Sequence, residues 1–337
     1  VTFSEDYSPR ASGSLSCAGE LTAAQLEALD PRGAGVAVNV YAGYVTPGKA
    51  PDVQRLAALR LLDRGRRQPG DVLELVLASA EASTHEVKWA QPALVRSWPG
   101  VLQAVTWLVS YAAGTTVTVR SQIGLGYRPD LTAAVALTPG LSMWDAAAAL
   151  AASAALQLYV DSAGEWRLEP LPSVAGDTAA YLVPGAGSPV HKADDVLTRN
   201  GYFEAAVITF KWDDASGPRE TVGIWTPPAR PSGIGDGTND AGTLAGAGYR
   251  TFTTERPGPM SQSSANEAAR LAVLNLSTRG NSYVIEAVAH YWLRPGATVQ
   301  ILAAGGAVLR HLVKTVSFNL AGGSMTVTTR EPNNLGE

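Results

Sequence analysis

Cysteine is almost missing: Cys17 is the single one in 337 residues. One thiol excludes an intrachain disulfide and any metal cluster built on cysteines. Standing alone, it reads as a small buried apolar group. Histidine is nearly as sparse. His85, His191, His290 and His311 are scattered, and His85-Glu86 runs on into Val87-Lys88-Trp89, so no H-E-x-x-H zinc motif forms. No G-x-S-x-G nucleophile elbow is present. No apolar run is long enough to span a bilayer, and no N-terminal signal pattern is seen. Charged residues make up 17% of the chain, the net charge is −4 and no lysine-rich stripe occurs. That argues against a dedicated nucleic-acid binder, which carries a basic footprint.

What is present fits a folded globular chain. Hydrophobic residues make up 46%, and the length suggests about two or three domains. Val1 already lies in a strand-like run, which leaves room for a segment upstream. The eight tryptophans fall at strand positions or near turns, as suits cores and subunit contacts.

The clearest unit is Leu137 to Pro170. Ser142 is a good N-cap, and Asp145 places a carboxylate at the positive end of the helix dipole. The alanine-rich run Ala146 to Leu156 has high helix propensity. Leu156, Leu158 and Val160 then alternate as in a half-buried strand, Asp161-Ser162-Ala163-Gly164 is turn chemistry, and Trp166 and Leu168 return. A small-residue helix beside a hairpin reads as a spacer that fixes two larger pieces.

Before it, the pattern is mostly β. Val1-Thr2-Phe3 starts a strand, Ala11 to Cys17 forms another, Leu21 to Leu29 suits a short helix, and Val36, Val38 and Val40 are the inward face of a strand. Asp52 to Asp63 is ambiguous: Leu56, Leu59 and Leu62 fit a helix, but the stretch also reads as a strand ending in Arg64-Gly65-Arg66-Arg67. Those arginines suit a solvated hairpin tip, or else a phosphate or partner contact. Val72 to Leu77 is a strand. Residues 1–80 thus read as a small antiparallel barrel or sandwich. Residues 81–170 read as a helical insert, with helices at Glu81 to Ala90 and Val101 to Ala113, Gly114 as the C′ residue of the second, a short strand at Val117 and Val119, and a loop at Gly124 to Asp130. Residues 171–337 return to β, with a hairpin turning at Asp213-Asp214, a glycine- and proline-rich arm at 226–259 without periodicity, a helix over 264–279 opened by the capping box Ser264-Ala265-Asn266-Glu267, and closing strands at Tyr283 to Ala289, Thr298 to Leu302, Val308 to Ser317 and Met325 to Thr329. The expected fold class is mainly β with α insertions (α+β): two small antiparallel β-barrels with a helix-hairpin insert.

Candidate chemistry is thin. Gly233, Gly235 and Gly237 lack the helix and lysine of a phosphate loop. Asp236, Asn239 and Asp240 could hold calcium through oxygens, or belong to a plain flexible loop. His290 and His311 could pair on a metal, or be two ordinary strand histidines. Glu165 and Glu169 flank Trp166, but on one strand they stand about 13 Å apart, too far for either glycosidase geometry. No residue receives a catalytic, cofactor-binding or metal-binding role, and no cofactor is expected.

The order of segments resembles a known family. Val1 to Leu15 with Ser8-Pro9-Arg10, the turn Asp30-Pro31-Arg32, Leu75-Val76-Leu77-Ala78-Ser79-Ala80-Glu81, the Ser142 to Glu169 unit, and Val313 to Arg330 with Val316-Ser317-Phe318, Met325 and Thr329-Arg330 are similar to segments of the baseplate-hub or tail-hub (minor tail) proteins of long-tailed phages that infect actinobacteria. Ala80 departs from the acidic residue many of these carry before the glutamate, and 226–259 matches nothing in the family. The resemblance implies a non-enzymatic virion protein at the tail tip. It implies barrel modules that assemble with copies of the chain as a ring, most often a homotrimer, continuing the tail tube. Its implied partners are tail tube and distal tail proteins, the tape-measure protein, tip or fibre proteins, and DNA in transit, with no stable membrane association. A tail-associated cell-wall hydrolase and a receptor- or carbohydrate-binding tip module stand as alternatives.

Overall fold

A computed structural model describes the chain except at Glu20, 33–35, 68–71, 122–134, Ala155, 186–187, 198–201, Ala215, 227–249, 258–259, 278–279, 303–305 and 333–337. The first strands are β1 (Thr2–Ser4), β2 (Ala11–Ala18), β3 (Ala37–Tyr44), β4 (Asp52–Arg67) and β5 (Val72–Ala78), with helix α1 (Ala23–Ala28) between β2 and β3. An inserted unit follows: α2 (Ala82–His85), β6 (Leu94–Arg96), α3 (Val101–Ala113), β7 (Val119–Ser121), β8 (Val135–Leu137), α4 (Met143–Ser153), β9 (Leu156–Val160) and β10 (Trp166–Pro170). The rest is β11 (Thr178–Leu182), β12 (Val190–Leu197), β13 (Ala205–Asp214), β14 (Gly217–Trp225), β15 (Thr251–Pro257), α5 (Gln262–Leu276), β16 (Asn281–Val288), β17 (Thr298–Leu302), β18 (Val308–Asn319) and β19 (Ser324–Arg330).

The fold is mainly β, but the two barrels expected from sequence are not seen as separate closed barrels among the described residues. Strands from both ends of the chain join one eleven-stranded sheet in the order β12-β16-β19-β18-β1-β2-β5-β4-β3, with β17 branching from β18 and β11 lying parallel on β17. The seam is β1: Thr2 faces Ser317 of β18 on one side and Ser12 of β2 on the other. The sheet wraps one core in which Leu56, Leu61, Leu73, Leu75 and Leu77 meet Tyr283, Ile285, Val299, Val316 and Val327. Short-range pattern reads the strands correctly here but carries no information on which distant strand closes which core.

The ambiguous Asp52 to Asp63 stretch is strand. Its residues 52–60 pair with β3 and 60–67 with β5, with register shifts opposite Val40/Tyr41 and at Leu61/Asp63. Each bulge inserts one residue and shifts the phase, so the leucines lose strict alternation and imitate a helical spacing. Arg64, Arg66 and Arg67 lie in the strand itself.

In the insert, α3 and α4 pack on each other around Ala104, Val105, Leu108, Ala147 and Ala151, and Trp89, Trp98, Trp144 and Trp166 complete this second core. Ser142 caps α4 by accepting the Asp145 N–H at 3.1 Å, and Gly114 closes α3 with φ 65°, where a side chain is strained. The helix expected over Glu81 to Ala90 is confined to α2. Beyond it Trp89 is buried and donates its N–H to the Leu141 carbonyl at 2.8 Å, so backbone pairing replaces helix.

A third core forms where α5 crosses the three-stranded sheet β14-β13-β15. A Cβ on Gly223 would sit 2.0 Å from the Ala265 carbonyl oxygen, so this crossing requires glycine. The helix starts earlier than the capping box implied: Ser261 is the cap, and Ser264 gives its N–H to the Ser261 hydroxyl. Part of the expected arm is strand, since Thr251–Pro257 forms β15, parallel to β13. Residues 227–249 of that arm lie outside the described residues.

Candidate assembly site and buried clasp

The main path of the eleven-stranded sheet ends in β3 and β12 and its branch ends in β11, each of the three paired on one side only among the described residues. On β3, Val38 and Val40 pack inward while Tyr41 is 60% exposed. On β12, every residue from His191 to Leu197 is exposed, Leu197 to 83%. That strand is therefore held mainly by its antiparallel pairing with β16. An edge of free N–H and C=O groups invites another chain to pair with it.

Beneath this sheet a buried polar clasp fixes the insert. The loop from Glu5 to Arg10 lies between sheet and insert. Glu5 is gripped by Arg330, whose Nε donates to Oε1 at 2.6 Å and Nη2 to Oε2 at 3.2 Å. The same Arg330 donates to the Pro172 carbonyl, and the Gln157 amide donates to the Glu5 carbonyl. Glu81 accepts the Arg10 N–H at 2.6 Å, the Ser79 hydroxyl at 2.8 Å and the Val160 N–H. Arg10 lies 3.8 Å over the Tyr159 ring and donates to Gln157 Oε1 at 2.8 Å. Burial pushes both Glu5 and Glu81 above the ordinary carboxylate range, and their hydrogen-bond donors oppose that shift. Asp6, Gln157, Arg256 and Asn275 line an open cleft beside the clasp, where the three cores meet, and Arg256 donates to the Ala152 carbonyl.

None of Glu5, Arg10 and Arg330 stood out as interacting residues in the sequence, because their partners lie up to 325 residues away. Arg10, Glu81 and Arg330 were visible only as parts of family-like segments.

The sequence candidates disperse. Cys17, expected to be buried, is exposed, since the far end of β2 runs past the core. We expect it to react fully with a maleimide reagent in the native protein; protection until denaturant is added would contradict this placement. His85 hydrogen-bonds Ser8 at 2.9 Å. His290 packs against Trp292, whereas His311 is bonded to Thr329 at 3.0 Å, so the two have separate partner sets. Among the described residues no group of three or more His, Cys, Asp or Glu side chains is placed to hold a metal. Arg167 lies between Asp161 and Glu165, at 2.9 and 2.8 Å, so Glu165 is engaged in an ion-pair network. Gly124 to Asp130, Gly233, Gly235, Gly237, Asp236, Asn239 and Asp240 lie outside the described residues. No helix among the described residues is long and apolar enough to cross a membrane.

His311 gives a pH test. Burial lowers it from 6.5 to about 4, so the unfolded chain takes up this proton before the folded one. Its contribution to stability is complete above the ordinary histidine value and is lost as pH falls from there toward about 4. Glu5 and Glu81, shifted upward, act in the opposite sense. We expect His311→Gln to flatten the decline in denaturation midpoint across that window; an unchanged pH profile would count against a buried neutral imidazole.

No protein-family model matches the chain, and no curated protein matches it. Solved structures do. A tail protein from Neisseria meningitidis MC58 is 13% identical, covers 87% of this chain and 90% of its own, and superposes with a TM-score of 0.58. The fold is shared with tail proteins. A 43 kDa tail protein of prophage MuSo2 from Shewanella oneidensis is similar too, with 12% identity, 97% and 91% coverage and a TM-score of 0.55. At these identities the likeness concerns the fold, and it extends over nearly the whole length of both tail proteins.

Proposed function

We propose that this chain is a structural, non-enzymatic virion protein. In this reading it is the hub at the distal end of a phage tail and closes with copies of itself, as a homotrimer, into a ring that continues the tail tube. The observation that carries the reading is the pair of open edges, β3 and β12, at opposite ends of one sheet in a fold shared with tail proteins. Two different edges meeting head to tail generate a ring when the rotation closes. Its partners would then be tail tube and distal tail proteins above, tip or fibre proteins below, and the tape-measure protein and DNA within. The domains are read as a tube-like module over 1–80, an insert over 81–170 and a second module over 171–337.

The competing reading, a receptor- or carbohydrate-binding tip module, draws on the tryptophans and on the glycine- and proline-rich arm at 226–259. Trp89, Trp98, Trp144 and Trp166 are spent in the core of the insert, which removes much of that motive. Negative-stain and cryo-EM images of the purified protein test the proposal: three-fold rings around a channel are expected, and particles that stay single at all concentrations would overturn it.

A further inference from the structure

Five adjacent strands, β16, β19, β18, β1 and β2, present an outward face with a narrow chemistry. One row runs Glu286, Thr326, Ser317, Thr2 and Ser12. The next runs Val284, Thr328 and Thr315 and ends at Ser4, which is buried, and a third carries Val288, Ser324 and Asn319. Ser14 and Ser16 continue the hydroxyls along β2, and both are exposed. Two pairs bridge strands, Thr2 with Ser317 at 2.9 Å and Ser4 with Thr315 at 3.3 Å. In these three rows the sole charged side chain is Glu286. Its cross-strand neighbour Lys192 is paired with Asp194, and Lys314 at the border is paired with Asp6 at 2.8 Å.

Such depletion of charge separates this face from an ordinary solvated surface, where charged side chains of both signs are interspersed. It also differs from the centre of a protein–protein contact, which is rich in aromatics, methionine and arginine and poor in serine. The opposite face of the same strands is filled by Tyr283, Ile285, Val316, Phe318, Met325 and Val327 of the core. The hydroxyl face lies between β12 and β3 on the sheet's main path and is bordered by charged rows, with Lys192 beside Glu286 on one flank and Glu74 and Asp63, in register with Ser16 and Val76, on the other, so edge-to-edge closure would set one hydroxyl panel from each copy around the ring.

We infer that this face is the wall of the central channel, and that what moves across it is a polyanionic duplex. The inference rests on the ring reading above. Each lysine or arginine that neutralises a phosphate adds salt-dependent affinity. A wall of hydroxyls keeps its hydration and offers no cation, so the duplex passes without being held.

Cysteine labelling in the ring tests this. In a Cys17→Ser background, Ser317→Cys and Thr326→Cys are labelled singly with a maleimide gold cluster and imaged. Gold on the inner rim of an otherwise unchanged ring is the expected result. Gold on the outer rim, or rings that fall apart on labelling at either position, would overturn the channel wall while leaving the ring standing. Absence of rings in the unlabelled Cys17→Ser protein and in the wild type would sink the ring reading, and this inference with it. As a second measurement, Ser317→Lys/Thr326→Lys in assembled particles should slow DNA release on the order of tenfold at low salt, with recovery at high salt. Release at the normal rate from intact particles would refute the proposal.

Discussion

Replacing Arg330 with methionine is expected to destabilise the protein by about 3–5 kcal/mol, the range for removing one partner of a buried ion pair. Both side chains are almost wholly buried, Arg330 at 2% and Glu5 at 1% exposure. Without the guanidinium, Glu5 must either stay charged in an apolar setting or take up a proton. The Pro172 carbonyl loses a donor as well. A denaturant titration reads the effect as a lower midpoint with little change in slope. The double replacement Glu5→Leu/Arg330→Met should recover much of the loss, because apolar side chains often substitute for a buried pair at little cost. If Arg330→Met alone shifts stability by less than 1 kcal/mol, the clasp is not holding the insert. The paired design separates loss of a charge partner from loss of packing volume.

The clasp also marks where sequence reasoning stops. Local patterns carried a good deal: Ser142 as a cap, Gly114 as a helix stop, the hairpin from Leu156 to Leu168 and the strand Thr298–Leu302 all stand where nearest-neighbour chemistry puts them. Each depends on residues within a few positions of one another. Errors arose where that condition fails. The bulged leucines of β4 broke the alternation, Trp89 left the helix register to pair with a distant loop, and β15 carries polar residues that read as arm because their strand partners lie 46 residues upstream in the same parallel pair. Ser261 displaced Ser264 as the cap: both residue types suit a cap, and the Ser261 hydroxyl accepts the Ser264 N–H one turn earlier than the box implied. The single sheet built from both chain ends could not be read at all, since β1 commits to β18 across more than three hundred residues. The resemblance implied a ring but named no strand as its edge; which strands stay open is a property of the assembled order.

The same order makes the second large effect testable at one strand. In an antiparallel pair the N–H and C=O of successive residues point alternately toward the partner and away from it. Asp194 and Asp195 are neighbours on β12, register with Val284 and Tyr283 of β16, and both are exposed. One of them therefore directs its N–H toward β16 and the other toward the open edge. Proline removes that N–H and blocks close approach of a new strand. Made separately, Asp194→Pro and Asp195→Pro should behave differently. The replacement facing β16 should lower stability by ~1–3 kcal/mol, the scale of a lost buried hydrogen bond. The one facing outward should leave the denaturation midpoint nearly unchanged and abolish ring formation in sedimentation velocity. If both variants assemble as the wild type does, β12 is not the edge through which copies join. If both lose stability together and neither separates folding from association, the strand is part of the fold alone and the closure must run through another surface. A clean split between the two adjacent residues, with Asp194→Ala and Asp195→Ala assembling as the wild type does, places the joining chain on the free side of β12.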